Sequence, residues 1–172
     1  MSMDENARSI LKQRAANLAL KKQTSVAVGP TIQIVEFLLG NKKYGLDGSY
    51  IKEAQTLMSV VEIPGTPDHL LGLINSRGQI LAVYDLKRML GLPSPALTVF
   101  NKVMVVQHPQ VLLGLAVDEV LGSSVVELSR LQMPLTNAEE IQVRHIKGIT
   151  SDAVVILNAE TLMDDRRLAI SC

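Results

Sequence analysis

The chain has 172 residues, 47% of them hydrophobic, with 17 basic and 17 acidic side chains and a formal net charge of +0. Its mean hydropathy is +0.22, so there is apolar material for a sizeable core and too little charge for a disordered chain. With that neutral balance and only two Phe, three Tyr and no Trp, electrostatic capture of nucleic acid and a base-stacking platform are both excluded. The longest mid-chain apolar stretch, Val111 to Val117, falls far below the roughly 20 residues of a spanning helix, so no direct membrane insertion is expected. No continuous apolar run follows Asp4 and Glu5, so no secretory signal is read. Cys172, the one cysteine, permits no intramolecular disulfide and fits a reducing compartment. The expectation is a soluble cytoplasmic protein of one domain, or two small halves sharing a core.

Residues 1–30 read as an amphipathic helix and linker. Ala7, Ile10, Leu11, Ala15 and Leu18 recur at helical spacing, with Arg8, Lys12 and Arg14 off the stripe. Asp4 and Glu5 fall in the first turn and Lys21 and Lys22 in the last, matching the helix dipole, and Gly29-Pro30 ends the segment. Such a helix docks on the body of the protein or binds a partner. Residues 31–172 have a different texture, with short aliphatic and β-branched runs punctuated by Gly, Pro, Asn and Ser, as in an all-β barrel or sandwich. Strands are predicted at 31–39, 42–47, 56–63, 70–76, 79–85, 101–108, 110–117, 123–128, 143–149 and 153–158. Gly40-Asn41, Arg77-Gly78 and Pro109-Gln110 have turn chemistry. Short helices are expected after Asp85, whose carboxylate can cap one, and after Asn158. Leu92-Pro93-Ser94-Pro95 marks a mid-chain crossing.

An internal repeat runs through this region. Tyr44-Gly45-Leu46 resembles Leu113-Gly114-Leu115, and Ser59–Ile63 resembles Ser124–Leu128. Leu71-Gly72-Leu73-Ile74 is echoed by Lys147-Gly148-Ile149-Thr150, and Ile80–Leu90 by Ala153–Met163, with Asp85 opposite Asn158. Two β units of about 60 residues would each be marginal alone, so they are expected to share apolar faces.

Motifs for catalysis are missing. His69, His108 and His145 show no metal-ligand spacing, and no phosphate-cradling glycine loop or Gly-x-Ser-x-Gly run occurs. Glu139-Glu140 and Asp164-Asp165 read as solvated charge, and Cys172 as an unactivated thiol near a chain end. No enzyme activity, cofactor or metal is expected. The distinctive polar feature is Asn75-Ser76-Arg77-Gly78 between the apolar runs Leu70–Ile74 and Ile80–Val83. Asn and Gly supply the turn, and an arginine held on it either points into water or makes forked contacts with a carboxylate or partner surface.

Glu36 to Asp47, then Ile63-Pro64-Gly65-Thr66-Pro67, then Leu71 to Leu86 with its Asn-Ser-Arg-Gly turn and Asp-Leu ending, together resemble a CheW-like chemotaxis coupling domain over residues 31 to about 163. The resemblance implies a mainly β fold of two intertwined five-stranded SH3-like barrels with an apolar interface, preceded here by an additional N-terminal helix. It further implies a non-catalytic adaptor joining the cytoplasmic tip of methyl-accepting chemoreceptors to the regulatory domain of a CheA-type histidine kinase. Arg77 matches the family's turn arginine and Glu53 the acidic residue upstream, with Asn75 and Gly78 shaping the turn; these four are the expected receptor-binding residues. Glu53 and Arg77 are therefore expected to lie close enough to pair. The second half departs from the pattern, with Asn158-Ala159 in place of Asp-Leu and no arginine turn. Alternative readings are the same adaptor in a non-flagellar sensory array controlling twitching motility or gene expression, and a small-ligand-binding β-barrel with an unfilled interior.

Overall fold

The computed structural model describes residues 29–94, 100–134 and 143–168. The helix expected over 4–22, the Glu139-Glu140 pair and Cys172 lie outside the described residues. In chain order the elements are β1 (Thr31–Leu39), β2 (Lys42–Asp47), β3 (Ile51–Thr56), β4 (Leu70–Ser76), β5 (Gln79–Asp85), α1 (Leu86–Met89), β6 (Lys102–His108), β7 (Val111–Val117), β8 (Glu119–Glu127), β9 (Ile146–Ile149), β10 (Val155–Leu157) and α2 (Ala159–Met163).

Two five-stranded sheets result, ordered β8-β1-β2-β10-β9 and β3-β6-β7-β5-β4. Each half of the chain gives its opening hairpin to the other half's sheet: β1-β2 lies between β8 and β10, and β6-β7 between β3 and β5. The parallel pairings β2–β10 and β5–β7 make these joins. Each sheet then curls shut, because the segment after one edge strand reaches the other edge, through the bridges Val61↔Leu73 and Gln132↔Ile149.

The exchanged hairpins are covered on both faces along their central stretches, and there they are apolar. Strand alternation sends Val103 and Val105 of β6 into the second barrel, with Ile74, Leu81 and Val83, and sends Met104 and Val106 into a central core. On β1, Ile34 fills the first barrel with Val154 and Ile156, while Phe37 and Leu39 enter the same central core from the other side. That core, which also takes in Leu86, Met89, Leu162 and Met163 from the two helices, joins the barrels. The barrel interiors leave no room at one position each. A Cβ on Gly45 would lie 2.7 Å from Ile34 Cδ1, and one on Gly114 2.7 Å from Val103 Cγ2.

Both helices start as expected. Asp85 caps α1, accepting the Arg88 N–H at 3.1 Å, and Asn158 caps α2, accepting the Glu160 N–H at 3.1 Å. The repeat is also present as structure. Val83 and Ile156 occupy equivalent positions, since they pair with Gly114 and Gly45 on one side and with Gly72 and Gly148 on the other. One of its sequence matches is misaligned, however. The β3 and β8 bulges coincide when Glu53, opposite Val105, is set against Gly122, opposite Glu36. Ser59–Ile63 is therefore not the counterpart of Ser124–Leu128.

The strand predicted at 56–63 also shifts. The strand is Ile51–Thr56, and beyond it Val61 alone makes a bridge. Lys52, Ala54 and Thr56 face solvent on this edge strand, so it lacks an apolar signal, whereas the apolar 57–61 stretch is a closing strap. Likewise β8 begins at Glu119, ahead of the predicted 123, across Gly122 at φ +140°.

The C-terminal turn is clasped to both barrels. Asp165 accepts from Arg167 Nε and Nη2 at 3.1 and 2.6 Å, and its Oδ2 lies 3.0 Å from Nε2 of the buried His145. Arg167 also donates to Met89 O at 2.7 Å, and Tyr84 Oη to Leu168 O at 2.9 Å. The Arg167 hydrogen bonds hold the Asp165 carboxyl well below the usual carboxylate range. Burial pushes the His145 imidazole down, outweighing the neighbouring carboxylate.

Two predictions follow from this packing. Gly114→Ala should destabilise by about 1–3 kcal/mol through overpacking, read as a lower urea midpoint at unchanged m-value. For both Asp165 and His145 the folded value lies below the unfolded one, so as pH falls the unfolded chain takes up protons first and stability declines. The Tm should therefore fall as pH drops below about 6.5, through His145, and fall again below about 4, through Asp165. Thermal unfolding of His145→Gln should lose the first decline and keep the second.

Candidate functional site

The β4–β5 register, with Asn75 opposite Ile80 and Ser76 opposite Gln79, leaves Arg77-Gly78 as a two-residue loop. Both loop residues have positive φ, +50° for Arg77 and +84° for Gly78, the backbone a tight I′ hairpin requires. Gly78 adopts it freely, whereas Arg77 is held there by the turn, and Asn75 Oδ1 secures the loop by accepting the Gly78 N–H at 2.9 Å. The arginine is consequently presented outward, with 84% of its side chain exposed.

Its partner comes from the opposite edge of the same sheet. The β3 bulge at Lys52 places Glu53 opposite Val105 of β6. The Glu53 carboxylate, only 18% exposed, accepts Ser76 Oγ at 2.9 Å and meets Arg77 Nη2 at 3.0 Å. Glu53, Asn75, Arg77 and Gly78 thus converge at one mouth of the second barrel. Because Arg77 is so exposed, the pair contributes under about 1 kcal/mol to folding. What the pair does is fix the direction of a guanidinium whose other N–H donors face water.

Sequence reasoning missed three exposed apolar side chains on the same barrel. Met58 and Val61 on the closing strap are 90% and 69% exposed, and Ile80 beside the hairpin loop is 72% exposed. The available signal was the strap itself, apolar at Leu57, Met58, Val60 and Val61 without strand alternation. Among the described residues, no group of three or more His, Cys, Asp or Glu could hold a metal ion, and no helix is long and apolar enough to cross a membrane. Both barrel interiors are filled by aliphatic side chains.

Two barrels with exchanged hairpins, packed through an apolar core, agree with the comparison to known families: the CheW-like domain model matches residues 33–167. The chain belongs to the CheW-like family. That family is one of chemotaxis scaffolding adaptors. The chain is 21% identical over 135 residues to the chemotaxis protein CheW of Bacillus subtilis, covering 77% of this chain and 86% of that one. With the chemotaxis protein CheW of Klebsiella aerogenes it shares 26% identity over 151 residues, covering 85% and 91%. Among solved structures, the scaffolding protein TtCheW from Thermoanaerobacter tengcongensis superimposes with a TM-score of 0.67 at 28% identity, covering 80% of this chain and 96% of that one.

The loop geometry separates backbone from charge effects. A Cβ on Gly78 would meet nothing within 4 Å, so Gly78→Ala should lose about 1 kcal/mol from its positive φ alone. Arg77→Ala should leave the urea midpoint almost unchanged, by contrast, since only an exposed pair is lost.

Proposed function

We propose that this CheW-like protein couples methyl-accepting chemoreceptors to the regulatory domain of a CheA-type histidine kinase, in the cytoplasm beside receptor arrays and without catalysing a reaction itself. The observation that carries this reading is the Arg77 turn, braced by Glu53 and aimed outward from a chain that matches the adaptor family over nearly all its described residues. A guanidinium already held in one direction loses little side-chain freedom on meeting a carboxylate or carbonyl of a receptor tip. Glu53, Asn75, Arg77 and Gly78 form the polar part of the receptor-facing surface. Met58, Val61 and Ile80 are exposed apolar side chains beside it, available to a partner that covers more of the barrel. In this mechanism receptor conformation biases kinase activity because both partners are held on one rigid body. A stable contact of this kind buries roughly 1,200–2,000 Å² in total.

Co-purification of the full chain with a receptor-tip fragment and a kinase regulatory domain tests the reading. Both should be retained. Arg77→Ala should weaken receptor-tip binding by about tenfold or more, the weight of a charge-assisted hydrogen bond, at unchanged Tm. Retention of neither partner by the wild-type chain sinks the adaptor assignment, and full receptor binding by Arg77→Ala sinks the role given to the turn.

A further inference from the structure

The two barrels end differently at equivalent mouths. Beyond the equivalent pairs Leu73↔Ala82 and Ile149↔Val155, the β4–β5 hairpin runs on for eight residues, 74–81, and the β9–β10 hairpin for five, 150–154. The shorter loop folds back at once, with Ala153 N–H donating to Thr150 O at 3.0 Å. In the second barrel Ser76 and Arg77 cover the mouth by binding Glu53. In the first barrel the shorter loop leaves a surface pocket of about 380 Å³, lined by Glu36, Ser124 and Asp152, by Glu127 already paired with Arg130 at 2.9 Å, and by apolar Val126 and Leu131.

Each mouth holds a carboxylate on one of two paired positions. Glu53 sits opposite Val105 in the second barrel, and Glu36 opposite Gly122 in the first. Both share a side with residues of their barrel's interior, as the alternation of Ile34 and Glu36 along β1 shows. Glu53 has a guanidinium. Half-buried Glu36 accepts from Ser124 Oγ and, among the described residues, makes no ion pair with a basic side chain. A carboxylate beside an apolar floor suits a Lys or Arg whose stem covers the apolar part while its head reaches the charge.

One such ligand is tethered at the rim. Gly29 N–H donates to Glu127 Oε1 at 3.2 Å, and Thr31 lines the pocket, so the chain before residue 29 starts at the pocket's edge. Residues 6–28 carry five basic side chains, Arg8, Lys12, Arg14, Lys21 and Lys22, and no acidic one, alongside the apolar stripe of Ile10, Leu11 and Leu18. The six residues 23–28 span at most about 20 Å when extended, which keeps the basic stretch at millimolar effective concentration. We infer that the pocket at the mouth of the first barrel is the docking site of the chain's own basic N-terminal segment, residues 6–22, with a cation of that segment meeting Glu36 as Arg77 meets Glu53. This inference is independent of the receptor and kinase reading.

A spin label tests it in the full chain. In ¹⁵N-labelled protein carrying Cys172→Ser and Gln13→Cys, a nitroxide on residue 13 should broaden the amides of 124–127 and 150–154 and spare those of Arg77 to Gln79. Glu36→Gln should reduce that broadening about fivefold or more, and so should Arg8→Gln, Lys12→Gln and Arg14→Gln together, which leave the barrel untouched. Even or absent broadening overturns the inference, as does broadening that neither set of changes reduces. Broadening carried by a mixture of spin-labelled ¹⁴N chain and unlabelled ¹⁵N chain would assign the pocket to a second copy and overturn it equally.

Discussion

The structure depends on four strands that are buried on both faces. β1, β2, β6 and β7 each line a barrel with one face and the central core with the other, so they are at once barrel wall and inter-barrel interface. Because each half lends its hairpin to the other, removing β1-β2 would strip β8 of its paired strand and β10 of one of its two, and would take Phe37, Leu39, Tyr44 and Leu46 out of the central core. Units this small are marginal alone, and here neither encloses its own barrel. The pair of buried Lys87 and half-buried Asp118 at 2.7 Å adds a polar tie to the same join, since Asp118 also accepts the Gly40 N–H of the β1–β2 turn at 2.6 Å. Glycines are required where the barrels are narrowest, at Gly45 and Gly114. The same condition explains the composition: small branched side chains fill narrow barrels, and Phe37, Tyr44 and Tyr84 belong instead to the roomier central core.

Against this near-symmetric frame, the distinctive polar surfaces lie in the asymmetry. The two barrels agree in strand order, in the bulge on the edge strands β3 and β8, in the capped helix after the last strand and in the strap that closes them. They differ at their mouths. A three-residue difference in hairpin length turns one mouth into a displayed arginine and the other into a concave surface that holds Glu36 and Asp152. A duplicated fold can thereby offer two unlike surfaces from one backbone plan.

Much of this was legible in the residues and some was not. β6 and β7 read clearly because burial on both faces makes them continuously apolar, and Asp85 and Asn158 announced their helices through capping chemistry. The Asn75–Gly78 loop was visible because turn residues at fixed offsets have few other uses. β3 was hidden for the converse reason: an edge strand of Lys, Glu, Ala, Gln and Thr has a wet outer face, and the adjacent apolar strap took its place in the reading. The hairpin exchange has no local signature, since which strand β2 or β7 pairs with in parallel is decided by partners more than 30 residues away on one side or over 100 on the other. Exposed Met58 and Ile80 escaped for a similar reason: apolar residues normally signal a core, and only the fold shows that these two stand outside it.

The straps that close the barrels have a consequence for behaviour at high concentration. An open five-stranded sheet would leave two rows of unpaired N–H and C=O groups, a template for edge-to-edge polymerisation. Here β4 is met by Val61, whose N–H and C=O both bond Leu73 at 2.9 Å, and β9 by Gln132, which exchanges bonds of 2.9 and 2.8 Å with Ile149. Gly72 and Gly148 make those approaches possible, as a Cβ on Gly72 would lie 2.3 Å from Val61 O and one on Gly148 2.7 Å from Leu131 Cβ. In a concentrated solution the protein is thus guarded against amyloid-like stacking by two short stretches of chain that carry little of its hydrophobic core.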